Sequence, residues 1–300
     1  VKIEKFVHWF GPLIIGVIFL AFAVFLQQGA PEHSAANVRP STKPQDGKVL
    51  VFSDEFNKSA LDNKKWSTCY DWRLSTESGC TNNGNLEQEW YTADQVKLEN
   101  GHLTLTAEKK PMDVAVQKQV KTFDYRSGML NSGRGSTSDS VRWAGTYGYF
   151  EARVKFQTGQ GVWPAFWLLP IDKEWPPEID IMEFIGSRPG EILQTLHWDT
   201  SGIAQKSETL TKDETDYAGT WHTYAVDWQP DHIDWYIDGK KTKSYTGPDV
   251  PSEPMEIILN LAIGGQLPGN ADATTPTTRE MNVDYVRVYQ SSQQARPRSF

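Results

Sequence analysis

Pro176-Pro177-Glu178-Ile179-Asp180-Ile181-Met182-Glu183-Phe184 places three acids within six residues of an otherwise apolar run. In a regular strand alternate side chains share a face, so Glu178 and Asp180 point together and Glu183 points away. One β-bulge near Ile181-Met182 adds a residue and restores the parity. Glu178, Asp180 and Glu183 then line one face, while Ile179 and one or both of Ile181 and Met182 feed a core. Acids so placed repel each other, and unpaired charge near an interior is costly. Three uses follow: a retaining glycosidase, whose two carboxyl groups stand about 5–5.5 Å apart; a hard-metal site, since Ca²⁺ takes several carboxylate oxygens; or a solvated acidic face offset by exposed Lys and Arg.

The neighbouring sequence favours the first. Val162-Trp163-Pro164-Ala165-Phe166-Trp167-Leu168-Leu169 precedes the acids, and Trp175 stands just before them. Trp163 and Trp167 share a face if the strand is regular. Flat aromatic faces beside paired carboxylates suit a sugar-binding groove. The chain has 12 Trp, 11 Tyr and 13 Phe, a supply large enough for both a core and a sugar platform. The formal charge of −8 argues against a nucleic-acid partner, which selects basic patches.

Period-two alternation continues through most of residues 48–290. It is clear in Leu103–Ala107, Tyr147–Phe156, His222–Trp228, Ile233–Lys240 and Val283–Tyr289. Asp238-Gly239 is a hairpin-turn pair. Many short strands separated by turn residues predict an all-β sandwich or barrel. No internal repeat or second domain boundary is visible in this body.

The N-terminus is different material. Trp9–Leu26 is an apolar run of eighteen residues without charge, preceded by Lys2 and Lys5. As a helix it would span about 27 Å, close to the hydrocarbon core of a bilayer. Residues 1–30 are therefore expected to form a transmembrane signal anchor, with a cleaved signal peptide as the alternative. Either orients the remainder for export, to the periplasmic or extracellular face of a membrane if the anchor is kept, or as a secreted protein if it is cleaved. Residues 31–47 read as a flexible linker and 291–300 as a tail. Export permits a disulfide between the only two cysteines, Cys69 and Cys80.

The body resembles glycoside hydrolase family 16. Glu178-Ile179-Asp180-Ile181-Met182-Glu183 matches that family's bulged E-x-D-x-x-E form. Phe52–Phe56, Tyr125–Leu130, Tyr147–Phe156, Gly161–Pro170, Trp221–Trp228, Ile258–Gly265 and Val283–Tyr289 are similar to further family segments, in order. The resemblance implies a β-jelly-roll sandwich of the concanavalin A-like kind, with an open groove. It implies Glu178 as nucleophile, Glu183 as acid/base, and Asp180 between them to orient and tune the pair. His197 is expected to touch substrate or a carboxylate. Asn85 and Gln266 fall in segments that border the groove, with Glu89 standing where many members carry Gln. The resemblance implies no catalytic cofactor. It does imply one structural Ca²⁺ away from the chemistry, at Glu55, Gly101 and Asp284. Trp175-Pro176-Pro177, with Cys69 and Cys80, looks closer to members acting on mixed-linkage glucans or on bacterial exopolysaccharides such as succinoglycan. Galactan cleavage, envelope-polysaccharide transglycosylation and a non-catalytic glucan receptor are the competing readings, and a monomer is expected.

Overall fold

A computed structural model of the chain describes residues 47–69, 80–116, 119–136, 138–212 and 216–294. The expected anchor (1–30), the linker up to residue 46 and the last six residues of the tail lie outside the described residues. Among the described residues no helix is long and apolar enough to cross a membrane.

Eighteen strands form among the described residues. The first nine are β1 (Lys48–Asp54), β2 (Glu89–Tyr91), β3 (Val96–Glu99), β4 (His102–Glu108), β5 (Met112–Val116), β6 (Gln119–Phe123), β7 (Tyr125–Ser127), β8 (Met129–Asn131) and β9 (Gly148–Phe156). The second nine are β10 (Val162–Pro170), β11 (Glu178–Phe184), β12 (Glu191–Thr200), β13 (Ile203–Lys212), β14 (His222–Trp228), β15 (His232–Ile237), β16 (Lys240–Thr246), β17 (Met255–Ile263) and β18 (Thr278–Ser291).

Two large sheets result. One runs β16-β15-β14-β9-β18-β4-β7-β2, with β1 added on β18 and β3 on β4. The other runs β13-β12-β11-β10-β17-β8. Both are antiparallel except where β2 pairs β7 in parallel. Sequence-distant strands lie side by side, as in β9 with β18 and β10 with β17, which is the crossover pattern of a jelly roll.

The alternation explains the layering. On β9, Phe150, Ala152, Val154 and Phe156 face inward, and on β14 Tyr224, Val226 and Trp228 do the same. Ile179, Ile181, Met182 and Phe184 of β11 meet them from the six-stranded sheet. Phe156 and Phe184 close the gap with ring centroids 4.3 Å apart. The turn between β15 and β16 is the expected Asp238-Gly239 pair, with φ of 49° and 76°, the left-handed values that a tight two-residue hairpin needs.

Cys69 and Cys80 form a disulfide. It ties the segment that follows the Ser67–Asn131 bridge to the one entering β2, where the Tyr91 amide donates to the Cys80 carbonyl. Closing a loop of this length removes about 3 kcal/mol of unfolded-state entropy. The double variant Cys69→Ser/Cys80→Ser is expected to lose stability of that order in urea denaturation. Equal midpoints would show that loop closure contributes nothing.

Candidate active site

The register of β11 shows how the acids reach one face. Asp180 lies opposite Thr195 of β12, but Glu183 lies opposite Leu193, so Ile181 and Met182 together face a single residue, Gln194. The same shift appears against β10, where Phe166 faces Met182 and Trp167 faces Asp180. Both Ile181 and Met182 enter the core. Glu178, Asp180 and Glu183 project from the opposite side. Glu183 is recessed there, with only 8% of its surface exposed.

A bulge leaves carbonyls that the sheet ladder cannot satisfy. Here two buried side chains take them. The Trp235 indole N–H, from the other sheet, donates to the Asp180 carbonyl at 2.9 Å. Gln194 Nε2 donates to the Ile181 carbonyl at 3.2 Å, while Thr242 Oγ1 donates to Gln194 Oε1 at 2.6 Å. Neither Gln194 nor Trp235 stood out in the sequence. The one available signal was a lone amide inside the apolar stretch Ile192–Leu196.

Each acid has a distinct donor. Trp175 Nε1 donates to Glu178 Oε2 at 2.9 Å. Trp163 Nε1 donates to Glu183 Oε1 at 3.2 Å. With its proton on Nε2, His197 donates to Asp180 Oδ2 at 3.1 Å, and the same nitrogen lies 3.8 Å from Glu178. Trp167 instead reaches sideways: its Nε1 donates to Asn260 Oδ1 at 2.8 Å, and Asn260 donates to the Tyr91 hydroxyl at 2.9 Å. Trp175 is half exposed beside His197, ring centroids 5.9 Å apart. Its loop is pinned by Lys173, whose ammonium pairs with buried Glu256.

Asn85 and Gln266 meet in one loop cluster. The Gln266 amide donates to the Asn85 carbonyl at 2.9 Å, and Gln266 Nε2 to the Gly84 carbonyl at 3.1 Å. Gly265 brings this cluster against Trp163: a Cβ added there would lie 2.9 Å from the Asn85 carbonyl oxygen and 3.6 Å from the indole, and its φ of 108° also demands glycine. Asn85 Nδ2 donates to Glu87 Oε1 at 3.2 Å. Glu89, in the position where Gln was expected, accepts the Ile263 amide at 2.7 Å. Burial raises both Glu87 and Glu89.

Burial and mutual charge raise all three acids. Burial, followed by the charge of Glu178, lifts Glu183 to about 8. Burial and then Asp180 raise Glu178, opposed by His197 and by the Trp175 donor. Burial and then Glu183 raise Asp180, which shares a hydrogen bond with Glu178. Burial lowers His197, keeping the ring neutral. Glu178 is the least enclosed of the three, and the indole donor and the nearby imidazole both oppose the rise that burial imposes on it.

Glu178, Asp180 and His197 also place ligand atoms within 4.8 Å of one another, a spacing a metal could use. In this structure the Trp175 donor and the His197–Asp180 bond already engage those atoms. The expected calcium set fits less well. Arg287 holds Glu55 through two bonds of 2.8 and 2.7 Å, and Arg153 holds Asp284 at 2.8 Å. Both carboxylates are thus neutralised by guanidinium groups, and Gly101 has only a turn backbone to offer.

A profile described as Glycosyl hydrolases family 16 matches residues 83–287. Endo-1,3-1,4-beta-glycanase ExsH of Rhizobium meliloti (strain 1021) is 36% identical over 280 residues, covering 89% of this chain and 57% of the relative. Endo-1,3-1,4-beta-glycanase EglC of the same organism is 38% identical, covering 81% of this chain and 52% of the relative. The chain therefore spans little more than half the length of these relatives. The laminarinase catalytic domain of Thermotoga maritima MSB8 superposes with a TM-score of 0.69 at 29% identity, covering 81% of this chain and 98% of that one. The endo-β-1,3-glucanase of Pyrococcus furiosus gives 0.67 at 33% identity, covering 81% and 94%.

The raised Glu183 carboxyl has a consequence for stability. Its contribution is fully present below its ordinary value of 4.5 and is lost as pH climbs through about 8, because the unfolded chain gives up that proton more easily. Glu183→Gln is expected to match the wild type in thermal midpoint near pH 4 and to exceed it near pH 8. A variant that gained nothing at the higher pH would contradict the raised value.

Proposed function

The chain belongs to glycosyl hydrolases family 16, and on that premise we propose that it is a retaining endo-β-glycosidase acting on β-1,3- or β-1,3-1,4-linked glucan-type polysaccharide. The single observation that carries this reading is the bulged strand. It sets Glu178 and Glu183 on one recessed face with different indole donors.

In the first step Glu178 attacks the anomeric carbon. The bond to the leaving oxygen breaks as Glu183 transfers its proton there, leaving a covalent glycosyl-enzyme. In the second step Glu183, now ionised, takes a proton from water. The water oxygen displaces Glu178, and net retention results. Asp180 and His197 hold the nucleophile's orientation through the shared carboxyl hydrogen bond and the imidazole. Trp163 and Trp167 border the acids with 8% of each residue's surface exposed, and half-exposed Trp175, beside Glu178, is the more open platform for a sugar ring.

The two glycanase relatives favour mixed-linkage polymer, and succinoglycan is the exopolysaccharide we would add to the panel. Export accompanies this reading, either with a retained membrane anchor or as a free monomer after cleavage. It is supported by the charge-free run Trp9–Leu26 and by a disulfide, which persists in oxidising compartments.

Reducing-end release from mixed-linkage β-glucan, laminarin, succinoglycan and agarose tests the proposal. Cleavage of the first three in some order, with agarose untouched, is expected; inactivity on all but agarose would replace glucan with galactan. Glu178→Gln should lower kcat by more than about 10³-fold while the fold is kept. Glu183→Ala should regain turnover with azide and yield a β-glycosyl azide; an α-azide would reverse the two assigned roles.

A further inference from the structure

Strand β13 is an edge strand, yet its charged residues turn toward the chemistry. In the β12–β13 pairing Lys206 lies opposite His197 and Glu208 lies opposite Thr195. Residues directly opposite in an antiparallel pair share a face. Thr195 in turn lies opposite Asp180, and His197 opposite Glu178. Lys206 and Glu208 therefore continue the row that begins with the catalytic acids, one strand beyond His197. They form an ion pair at 2.9 Å, and their side chains remain 55% and 34% exposed. The core-side positions between them behave differently: Gln205, Ser207 and Thr209 are half-buried, and the Ser207 carbonyl accepts from Lys243.

The two flanks of the acids thus differ in chemistry. On the β10–β17 side stand Trp163, Trp167 and Asn260. On the β12–β13 side stand His197, Lys206 and Glu208. We propose that the Lys206–Glu208 pair is the polar wall of the substrate cleft opposite the tryptophans, binding hydroxyls of the sugar that lies beyond His197. An ammonium donates and a carboxylate accepts, so the pair serves two neighbouring hydroxyls at once without stacking. Thr195, buried between Asp180 and Glu208, carries a hydroxyl oxygen without a hydrogen bond among the described residues. It is a further polar atom on the same row.

The pair also acts on Glu183 through space. The charge of Glu208 raises that carboxyl and the charge of Lys206 lowers it. Glu178 and Asp180 on β11 also act on Glu183, while His197 on β12 acts on Glu178 and Lys243 on β16, which burial lowers to about 8, acts on Asp180. From β10 and β17 the neighbours are Trp163, Ala165 and Asn260, which do not titrate.

This inference rests on the glycosidase reading, and one experiment separates the two. Lys206→Met, Glu208→Gln and, as a control on the other sheet, Lys241→Met are compared with the wild type on the polymer it cleaves best. Thermal midpoints confirm folding. Both β13 variants should raise KM by at least about threefold with a smaller change in kcat. The basic limb of kcat against pH should move down in Glu208→Gln, where a repelling charge is lost, and up in Lys206→Met, where an attracting one is lost. Opposite shifts of the limb report the two charges facing Glu183, and the rise in KM beyond the change in kcat is the readout that a merely structural pair would not give. An active wild type whose β13 variants show unchanged KM, or limbs that move together or not at all, overturns the inference. A wild type inactive on every polymer overturns the underlying reading instead.

Discussion

Everything at the site depends on one extra residue in β11. Without the bulge at Ile181–Met182, Glu183 would point into the core beside Ile179 and Ile181, an uncompensated buried acid. With it, Glu183 turns out beside Glu178 and Asp180. A bulge is a local defect in a ladder, and its carbonyls need other partners. Trp235 and Gln194 provide them, which fastens the catalytic strand both to the opposite sheet and to β12. The placement of the three acids is therefore held by buried hydrogen bonds to the backbone of the bulge.

The same arrangement creates the electrostatics. Three carboxyl groups on one recessed surface are not all ionised at once, because burial and mutual repulsion raise each of them. What distinguishes them is the donor each is given. Glu178 receives the Trp175 indole and faces the imidazole, while Glu183 receives the Trp163 indole in a more enclosed position. Both indoles donate from the ring edge, but Trp175 is half exposed whereas Trp163 is buried.

Elsewhere the structure uses charge conservatively. Glu55 and Asp284 are neutralised by Arg287 and Arg153, and Glu256 by Lys173. The calcium positions implied by family likeness illustrate the difference between residue type and residue state. Both Glu55 oxygens accept from Arg287, and Asp284 Oδ2 accepts from Arg153. No sequence pattern reports that Arg287 lies against Glu55, 232 residues away.

The sequence by itself determined the strand face that carries the acids. The spacing of Glu178, Asp180 and Glu183 is incompatible with a regular strand, and the apolar residues between them leave only one side for burial. It also determined the all-β architecture, through alternation in β4, β9, β14 and β18, and the Asp238-Gly239 hairpin. These are properties of local period and turn chemistry, which a chain carries wherever it folds. Tertiary structure alone decided the rest. Gln194 and Trp235 serve the bulge, Asn260 and Tyr91 orient Trp167, and Lys206 and Glu208 face the acids. Each depends on which strands become neighbours and in what register, and a one-residue slip in the β12–β13 pairing would turn the Lys206–Glu208 pair to the other face.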